Sequence, residues 1–415
     1  MPFDLEAVRA QFPALAIEDN GRRRIYLDNP AGTQVPARVA AAMSDCLLKS
    51  NANLGGYFPS SASAEGVVDS AREAMANFLN SPSISEIIFG QNMTTITLHL
   101  SRSIGRLFNP GDEIILSRMD HDANVWPWVL LARDLELTIK WLPFSPETFE
   151  FDLSVLGDLF TDRTRLLCVS GASNLTGTLN DVTAICAQAR AAGVLTFIDA
   201  VQSVPHVVTD VQAIGCDFLV CSPYKFFGPH QGVLWGRREI LEQLEPYRVR
   251  PAPAGIPGCF ETGTQSHEGF AGIKAAIDYF DWIGTSMAEA RSGRDALRAA
   301  MVMLFDYEQS LASHLISGLG DIDGVTVQGI ATADAMNRRV PTVSFTHATA
   351  APAHIAESLA QQNIFVWNGH NYAVEAAKTL GIYESGGAVR VGPVHYNSRE
   401  ELDEFLAALR QILAA

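Results

Sequence analysis

Short apolar runs alternate with amphipathic stretches along the chain from about residue 85 onward. Seven of the runs read as strands that are largely apolar throughout: EIIFG, EIILS, LTIKWLP, RLLCVS, LTFIDA, CDFLVCS and GVLWG. The stretches between them, such as VTAICAQARAAG, have the apolar spacing of helices. Strands that alternate with helices form βαβ units, and strands without a polar face need helices on both sides of the sheet. The pattern predicts an α/β fold around a mostly parallel sheet flanked by helices.

A proline- and glycine-rich stretch, RPAPAGIPG at residues 250–258, interrupts this pattern. A long helical pattern follows it, and the chain then ends in shorter units such as TVSFT, HIAESLAQQNIFVW and AVRVGP. We expect a large domain over residues 26–285 and a smaller C-terminal α+β domain over residues 286–415. An N-terminal segment, residues 1–25, is expected to pack on the smaller domain.

Composition and charge exclude several classes of protein. The formal net charge of −16 disfavours nucleic acid and anionic membranes as partners. No stretch reaches the roughly 18 apolar residues of a membrane span, and the first thirty residues lack the apolar core of a signal peptide. The six cysteines are scattered without CxxC spacing, which is typical of buried, reduced thiols in a cytoplasmic protein. We expect no metal site, because no His/Cys/Asp cluster has ligand spacing, and no glycine fingerprint supports a dinucleotide or P-loop site.

Polar side chains follow five of the seven strand runs. Ligands in open α/β sheets bind at the carboxyl ends of the strands, so these side chains should meet on one edge of the sheet. The candidates are Thr94, Thr95, His121, Asn174, Asp199, Gln202, Ser222, Tyr224 and Lys225.

Each of these residues also has an ordinary structural interpretation. Lys225, in SPYKFFGP, is either a lysine that extends to solvent or a desolvated amine that attacks carbonyl groups. Asp199 either caps the following turn or pairs with a buried cation. His121 either caps a helix or stacks on an aromatic ring. Threonines at a helix start cap it or hold a phosphate.

Several motifs together resemble one enzyme family along essentially the whole chain. They are LDNPAGTQVP, NMTTITL, MDHDANVWPW, SGASNLTG, FIDAVQS, CSPYKFFGP, ETGT and VRVGPVHYN. The chain resembles the cysteine desulfurase/class V aminotransferase family, pyridoxal 5'-phosphate enzymes of fold type I. The resemblance implies a seven-stranded, mostly parallel sheet in the large domain.

The resemblance also implies roles for the candidate residues. Lys225 would form a Schiff base with the cofactor aldehyde and move protons, Asp199 would pair with the ring nitrogen, and His121 would stack on the ring. Gln202 and Asn174 would bind near the ring hydroxyl, with Asn174 also near the substrate carboxylate. The phosphate would be held by Thr94, Thr95 and Ser222, with Tyr224 beside it. Thr264 would reach the phosphate of a neighbouring subunit in a homodimer, and Arg390 would bind the α-carboxylate of a small amino-acid substrate.

Two departures from the family pattern leave the reaction open. The persulfide-forming cysteine of desulfurases has no counterpart, because NGHNYA places Asn371 and Tyr372 there and no cysteine follows Cys259. The loop NANLGGYFPSS lacks the arginine that desulfurases have at a comparable place, and His370 is equally an acid/base or a supporting residue. We therefore expect C–S lyase or transamination chemistry without a persulfide. A racemase or epimerase, or a non-catalytic homologue that binds the cofactor, remains an alternative.

Overall fold

The computed structural model describes residues 3–414. Its strands are β1 (Glu18–Asp19), β2 (Arg22–Arg23), β3 (Ile25–Tyr26), β4 (Ile87–Gly90), β5 (Glu113–Ser117), β6 (Thr138–Leu142), β7 (Thr164–Ser170), β8 (Leu195–Asp199), β9 (Phe218–Cys221), β10 (Gly232–Gly236), β11 (Val325–Val327), β12 (Val343–His347), β13 (Ile364–Phe365), β14 (Trp367–Gly369) and β15 (Ala388–Val391). Its helices are α1 (Leu5–Arg9), α2 (Ala37–Lys49), α3 (Pro59–Leu79), α4 (Met93–Gly105), α5 (Trp126–Leu135), α6 (Leu156–Leu159), α7 (Val182–Ala191), α8 (Val211–Ile214), α9 (Arg238–Leu241), α10 (His267–Ser286), α11 (Arg294–Gly320), α12 (Pro352–Ala360), α13 (Val374–Thr379) and α14 (Arg399–Ala414).

A seven-stranded sheet, in the order β4-β10-β9-β8-β7-β5-β6, forms the centre of the larger part of the molecule. Strands β5 to β9 pair in parallel, while β10 runs antiparallel to both β9 and β4. All seven apolar runs of the sequence are strands of this sheet. The predicted α/β class and the mostly parallel sheet are confirmed.

Alternate residues of the central strands enter two different cores. Leu167 and Val169 of β7 pack in the core that contains helices α3, α7 and α10. Leu166 and Cys168 of the same strand pack in the core that contains α4 and α5. Both faces of the sheet are therefore covered by helices, which explains why these strands carry no polar face.

A second sheet, in the order β11-β12-β15-β14, lies in the C-terminal part of the chain. Helix α11 connects its core to the larger one, because Leu297 and Leu304 pack in the larger core and Leu311 and Leu315 in the smaller. The predicted domain boundaries stay a prediction, and of the predicted segments Met1, Pro2 and Ala415 lie outside the described residues.

The N-terminal segment lies against the C-terminal part of the chain. Strand β3 pairs in parallel with β13, and Asp28 continues this contact through a bridge to Gly392. Farther upstream, Arg9 donates to the carbonyl of Tyr396 at 2.7 Å and to Glu401 at 2.9 Å. Residues 25–32 then pass along the edge of the central sheet where its parallel strands end, since Thr33 N–H donates to the carbonyl of Tyr224 at 3.1 Å.

Candidate active site

A cavity of about 230 Å³ opens at the carboxyl ends of the parallel strands. It is lined by Pro30, Ala31, Asn92, Met93, Thr94, His121, Ala123, Ser170, Ala172, Asn174, Asp199, Val201, Gln202, Ser222, Tyr224, Lys225, Trp367, Asn371, Tyr372 and Arg390. The structure thus brings together all the candidate site residues except Thr95 and Thr264.

Lys225 ends a short 3₁₀ turn, Pro223–Lys225, that directly follows β9. Its ammonium group donates to the carbonyl of Ala31 at 2.9 Å and also to that of Pro30. Burial, with a smaller contribution from the nearby Arg390, lowers the pKa of Lys225 to about 7. The next two residues, Phe226 and Phe227, are fully buried and anchor the turn on the core. In this environment a substantial fraction of the Lys225 side chain is a neutral, nucleophilic amine at neutral pH.

Asp199 is the last residue of β8 and is buried. Its Oδ1 accepts from Val201 N–H at 2.9 Å, as a turn cap does. Burial raises the pKa of Asp199 to about 7, and the neighbouring buried Asp120 raises it too. A cation placed against this carboxylate would stabilise its charged form.

His121 satisfies both of its sequence interpretations. Its Nδ1 accepts from Ala123 N–H at 3.0 Å and caps the turn Asp122–Asn124. Its ring also stacks on that of Tyr372, with centroids 5.5 Å apart and planes 21° apart. Burial lowers the pKa of His121 to about 3, so the imidazole is neutral at physiological pH.

Arg390 of β15 brings the C-terminal sheet to the cavity. Its Nη1 donates to the carbonyl of Asn174 at 3.1 Å, and its Nη2 lies 3.5 Å from Asp28 Oδ1. The buried Nε of Arg390 and the buried Oδ1 of Asn174 have no hydrogen-bond partner. Both groups are therefore available to a polar ligand.

The start of helix α4 also borders the cavity. Asn92 caps this helix by accepting from Thr95 N–H at 2.8 Å, and the Thr95 hydroxyl also donates to Asn92 at 2.9 Å. Thr95 is thus engaged beside the cavity, whereas Thr94 and Ser222 line it. Of the two interpretations of Thr94 and Thr95, capping does not hold, because Asn92 precedes the helix and its carboxamide is the cap.

Two other cavity residues are held by neighbouring groups. Gln202 Nε2 donates to the carbonyl of Pro30 at 2.8 Å, and the Tyr224 ring stacks on His230 with centroids 4.9 Å apart.

Thr264 lies apart from this cavity. It is exposed and borders a separate surface groove with Cys46, Asn53 and His267. Within this chain it contributes nothing to the cavity.

The loop of residues 370–373 closes the cavity beside His121. Asn371 and Tyr372 both have left-handed backbones, with φ of 51° and 59°. The loop is held at its centre, because the Asn371 carbonyl accepts from Asn174 Nδ2 at 2.6 Å and the Tyr372 carbonyl accepts from Asp122 N–H at 2.7 Å. His370 Nδ1 accepts from Tyr372 N–H at 3.1 Å and its ring stacks on Tyr383, so His370 supports the loop and does not line the cavity.

Sequence reasoning missed Asp28, the carbonyls of Pro30 and Ala31, and Trp367. The first three stand in the motif LDNPAGTQVP, so the motif drew attention to them, but it carried no indication that their contacts are with Lys225 and Arg390. Trp367 precedes the motif NGHNYA and had no signal of its own.

Other expectations concern the whole chain. The six cysteines are all free and buried, as the sequence predicted. Across residues 3–414 no cluster of metal-ligating side chains is present. None of the helices in that range combines the length and the apolar character that a bilayer crossing requires.

Known proteins resemble this chain over nearly its whole length. The family model of aminotransferase class V matches residues 25–405. A cysteine desulfurase of Yersinia pestis (strain Pestoides F) is 32% identical over 427 residues, which cover 99% of either chain. The apo structure of a cysteine desulfurase from Thermococcus onnurineus NA1 superposes with a TM-score of 0.88 at 26% identity over the full length of both chains. A cysteine desulfurase from Escherichia coli superposes with a TM-score of 0.85, also at 26% identity, over 100% of this chain and 99% of the other.

The chain therefore belongs to the aminotransferase class V family. More narrowly, its relatives place it among the cysteine desulfurase-like members of that family, which are pyridoxal-phosphate-dependent enzymes.

Proposed function

We propose that this protein is a pyridoxal-phosphate enzyme that acts on a small α-amino acid by C–S lyase or transamination chemistry, without a persulfide cysteine. The observation that carries the proposal is the convergence of Lys225, Asp199 and Arg390 on one cavity. These side chains supply an amine of lowered pKa, a buried carboxylate and a fixed guanidinium, which together suit an amino-acid substrate and an aldehyde cofactor.

The polar groups of the cavity fit the cofactor. The buried Oδ1 of Asn174 and the buried Oγ of Ser170 have no partner, so the site offers hydrogen bonds that nothing in the chain uses. Lys225 would hold the aldehyde, Asp199 the ring nitrogen, and Thr94 with Ser222 the phosphate. Gln202 would bind near the ring hydroxyl, with Tyr224 beside the phosphate.

When bound, pyridoxal phosphate supplies an electron-accepting ring that stabilises negative charge at the substrate Cα. The chain's own residues position the substrate and move its protons. Arg390 binds the α-carboxylate through two parallel hydrogen bonds, which fixes the orientation of Cα. The amine of Lys225 takes and returns a proton, since its pKa of about 7 lies near physiological pH. His121 remains neutral and acts by ring contact.

The loop around Tyr372 supports a reaction without persulfide relay. Asn371 and Tyr372, which the family resemblance puts at the place of the desulfurase cysteine, both line the cavity, and neither an amide nor a phenol supplies the thiolate nucleophile that accepts sulfur. No cysteine lines the cavity in the described part of the chain. The six thiols are buried elsewhere, where burial raises their pKa values and makes them poor nucleophiles.

A homodimer is part of the proposal. Thr264 is exposed and separate from the cavity of its own chain, as a residue that serves a neighbouring subunit would be. Several large apolar side chains in helix α2 and the loop after it are exposed, among them Leu48, Tyr57 and Phe58. Large apolar side chains left exposed close together in sequence are consistent with a second protein chain that covers them. Sedimentation of the purified protein tests this point, and a monomer at micromolar concentration would contradict it.

The test of the catalytic proposal begins with Lys225→Ala. We expect this variant to lose the cofactor's visible absorbance band on dialysis while its thermal unfolding without cofactor stays close to that of the wild type. Lys274→Ala, which removes an exposed lysine that pairs with Asp278 at 2.7 Å, is the matched control and should keep the band. Full turnover by Lys225→Ala would show the assignment to be wrong.

The products then distinguish the possible reactions. The loaded wild-type protein is titrated with a panel of amino acids, and those that change its visible spectrum are assayed. Pyruvate with sulfide indicates a lyase, and amine transfer that needs a keto acid indicates transamination. Exchange of solvent deuterium into Cα with loss of chirality indicates an epimerase. A visible spectrum that no amino acid changes would contradict activity on amino acids and favour a non-catalytic homologue.

A further inference from the structure

The segment of residues 28–31 enters the cavity between the two cations, and the proposed function gives it no part. The carbonyls of Pro30 and Ala31 accept from the Lys225 ammonium group. On the other side, Gly392 N–H donates to the carbonyl of Leu27 at 2.7 Å, which fixes the segment next to β15 and Arg390. Asp28 is therefore held between Arg390 and the turn that binds Lys225.

We propose that Asp28 is a positioning residue whose carboxylate balances the charge of Lys225 and orients Arg390 toward the substrate. This inference rests on the proposed function, because it assigns a purpose to Asp28 within that same site. Asp28 acts through the two cations and does not line the cavity itself.

The geometry at Arg390 supports this role. Asp28 Oδ1 is buried and makes no hydrogen bond, yet it lies 3.5 Å from Arg390 Nη2, which is within ion-pair distance. Nη1 donates to the Asn174 carbonyl, so each terminal nitrogen has a neighbouring acceptor within the protein. Nε is left without a partner. An arginine restrained in this way loses less conformational freedom when it binds a carboxylate.

The charges around Lys225 also support the positioning role of Asp28. The groups that act on the Lys225 amine are Arg390, which lowers its pKa, and Asp28 and Asp199, which raise it, against a larger lowering by burial. Burial raises the pKa of Asp28, while Arg390 and Lys225 lower it. Without the negative charge of Asp28, the two buried cations would repel one another, and of the two carboxylates that act on Lys225, Asp199 would remain.

The carboxylate of Asp28 is not needed to hold the segment of residues 28–31 in place. The Gly392–Leu27 bond and the bond from Gly32 N–H to the Asp28 carbonyl involve backbone atoms only. The neighbouring Asn29 supplies the side-chain anchors, donating to the carbonyls of Gly392 at 2.7 Å and Tyr26 at 3.0 Å. Asp28→Asn keeps the size and shape of residue 28 while removing its charge.

The experiment is a pH titration of the visible absorbance of the cofactor-loaded protein, which reports the charge on the nitrogen of Lys225. We expect Asp28→Asn to lower the midpoint by about one pH unit, equivalent to about 1.4 kcal/mol. The sign follows because removal of a negative charge disfavours the protonated nitrogen. Asp28→Glu keeps the charge and should titrate close to the wild type. Asp19→Asn removes an exposed carboxylate that pairs with Arg24 in the same N-terminal region, and should leave the midpoint unchanged.

The outcomes separate this inference from the proposed function. A wild-type band that depends on Lys225, together with the same midpoint in Asp28→Asn, would overturn the role of Asp28 alone. A wild-type protein without such a band would overturn the proposed function and this inference with it. If Asp28→Asn does not retain the cofactor, Asp28→Ser, which also removes the charge, decides: a midpoint about one unit lower supports the role, and a wild-type midpoint overturns it.

Discussion

Replacing Arg390 with lysine tests how the proposed site recognises an amino acid. Lysine keeps the positive charge but presents one ammonium group instead of a planar pair of nitrogens. In the structure, Nη1 donates to the Asn174 carbonyl at 3.1 Å and Nη2 faces Asp28 at 3.5 Å, so a single nitrogen cannot keep both contacts and bind a carboxylate with two hydrogen bonds.

The expected loss follows from one charge-assisted hydrogen bond. Such a bond contributes about 1.5–3 kcal/mol, so Arg390→Lys should weaken amino-acid binding about 10- to 150-fold. The assay is the dissociation constant of the amino acid that most strongly changes the visible spectrum of the loaded wild-type protein. The corresponding amine without a carboxylate should bind both proteins equally.

A matched substitution controls for the general effect of changing arginine to lysine. Arg338 is an exposed arginine that donates to both oxygens of Glu150 at 2.7 Å, and Arg338→Lys should bind the amino acid as the wild type does. Equal binding by Arg390→Lys and wild type would refute the reasoning, as would an equal loss of affinity for the amine.

Two further predictions concern stability. Glu308 is buried, lies 2.8 Å from His206 Nδ1 and accepts from His395 N–H at 3.1 Å, so Glu308→Ala should lower the free energy of unfolding by about 3–5 kcal/mol in urea titrations. Burial alone would raise the pKa of Glu308, but these histidines lower it below 4.5. The stability that the ionised Glu308 contributes is therefore complete above pH 4.5 and is lost as the pH falls through the lowered pKa. A difference in unfolding free energy between the wild type and Glu308→Ala that increases as the pH falls would contradict this pH dependence. Gly392→Ala should destabilise the protein by about 1–3 kcal/mol, because its Cβ would lie 2.1 Å from Pro30 Cγ, and an unchanged melting temperature would show that Pro30 moves freely.

The central sheet could be predicted because its strands are apolar on both faces and stand between amphipathic helices. Placing Asp199, His121 and Lys225 together followed from one physical rule, that parallel strands end at the same edge of a sheet. The antiparallel β10 follows from no local signal, since GVLWG is as apolar as its parallel neighbours.

The rest of the site depends on pairings between residues far apart in the chain. Strands β3 and β13 have two residues each, too few for a periodic pattern, yet their pairing brings Asp28 to Arg390. The left-handed backbones of Asn371 and Tyr372 are set by bonds to Asn174 and Asp122, neither of which lies near them in sequence. Thr95 does not line the cavity, and its hydroxyl donates to Asn92.

The pairing of β3 with β13 also bears on the order in which the protein becomes functional during synthesis. Ribosomes extend a chain from its amino end, so residues 25–28 emerge long before Ile364 and Gly392, their partners in the finished molecule. Contacts between such distant parts of a chain form late. A nascent chain that has already completed the central sheet therefore still lacks Arg390 and a fixed Asp28. We expect selective binding of amino acids to begin only after the last strand has left the ribosome.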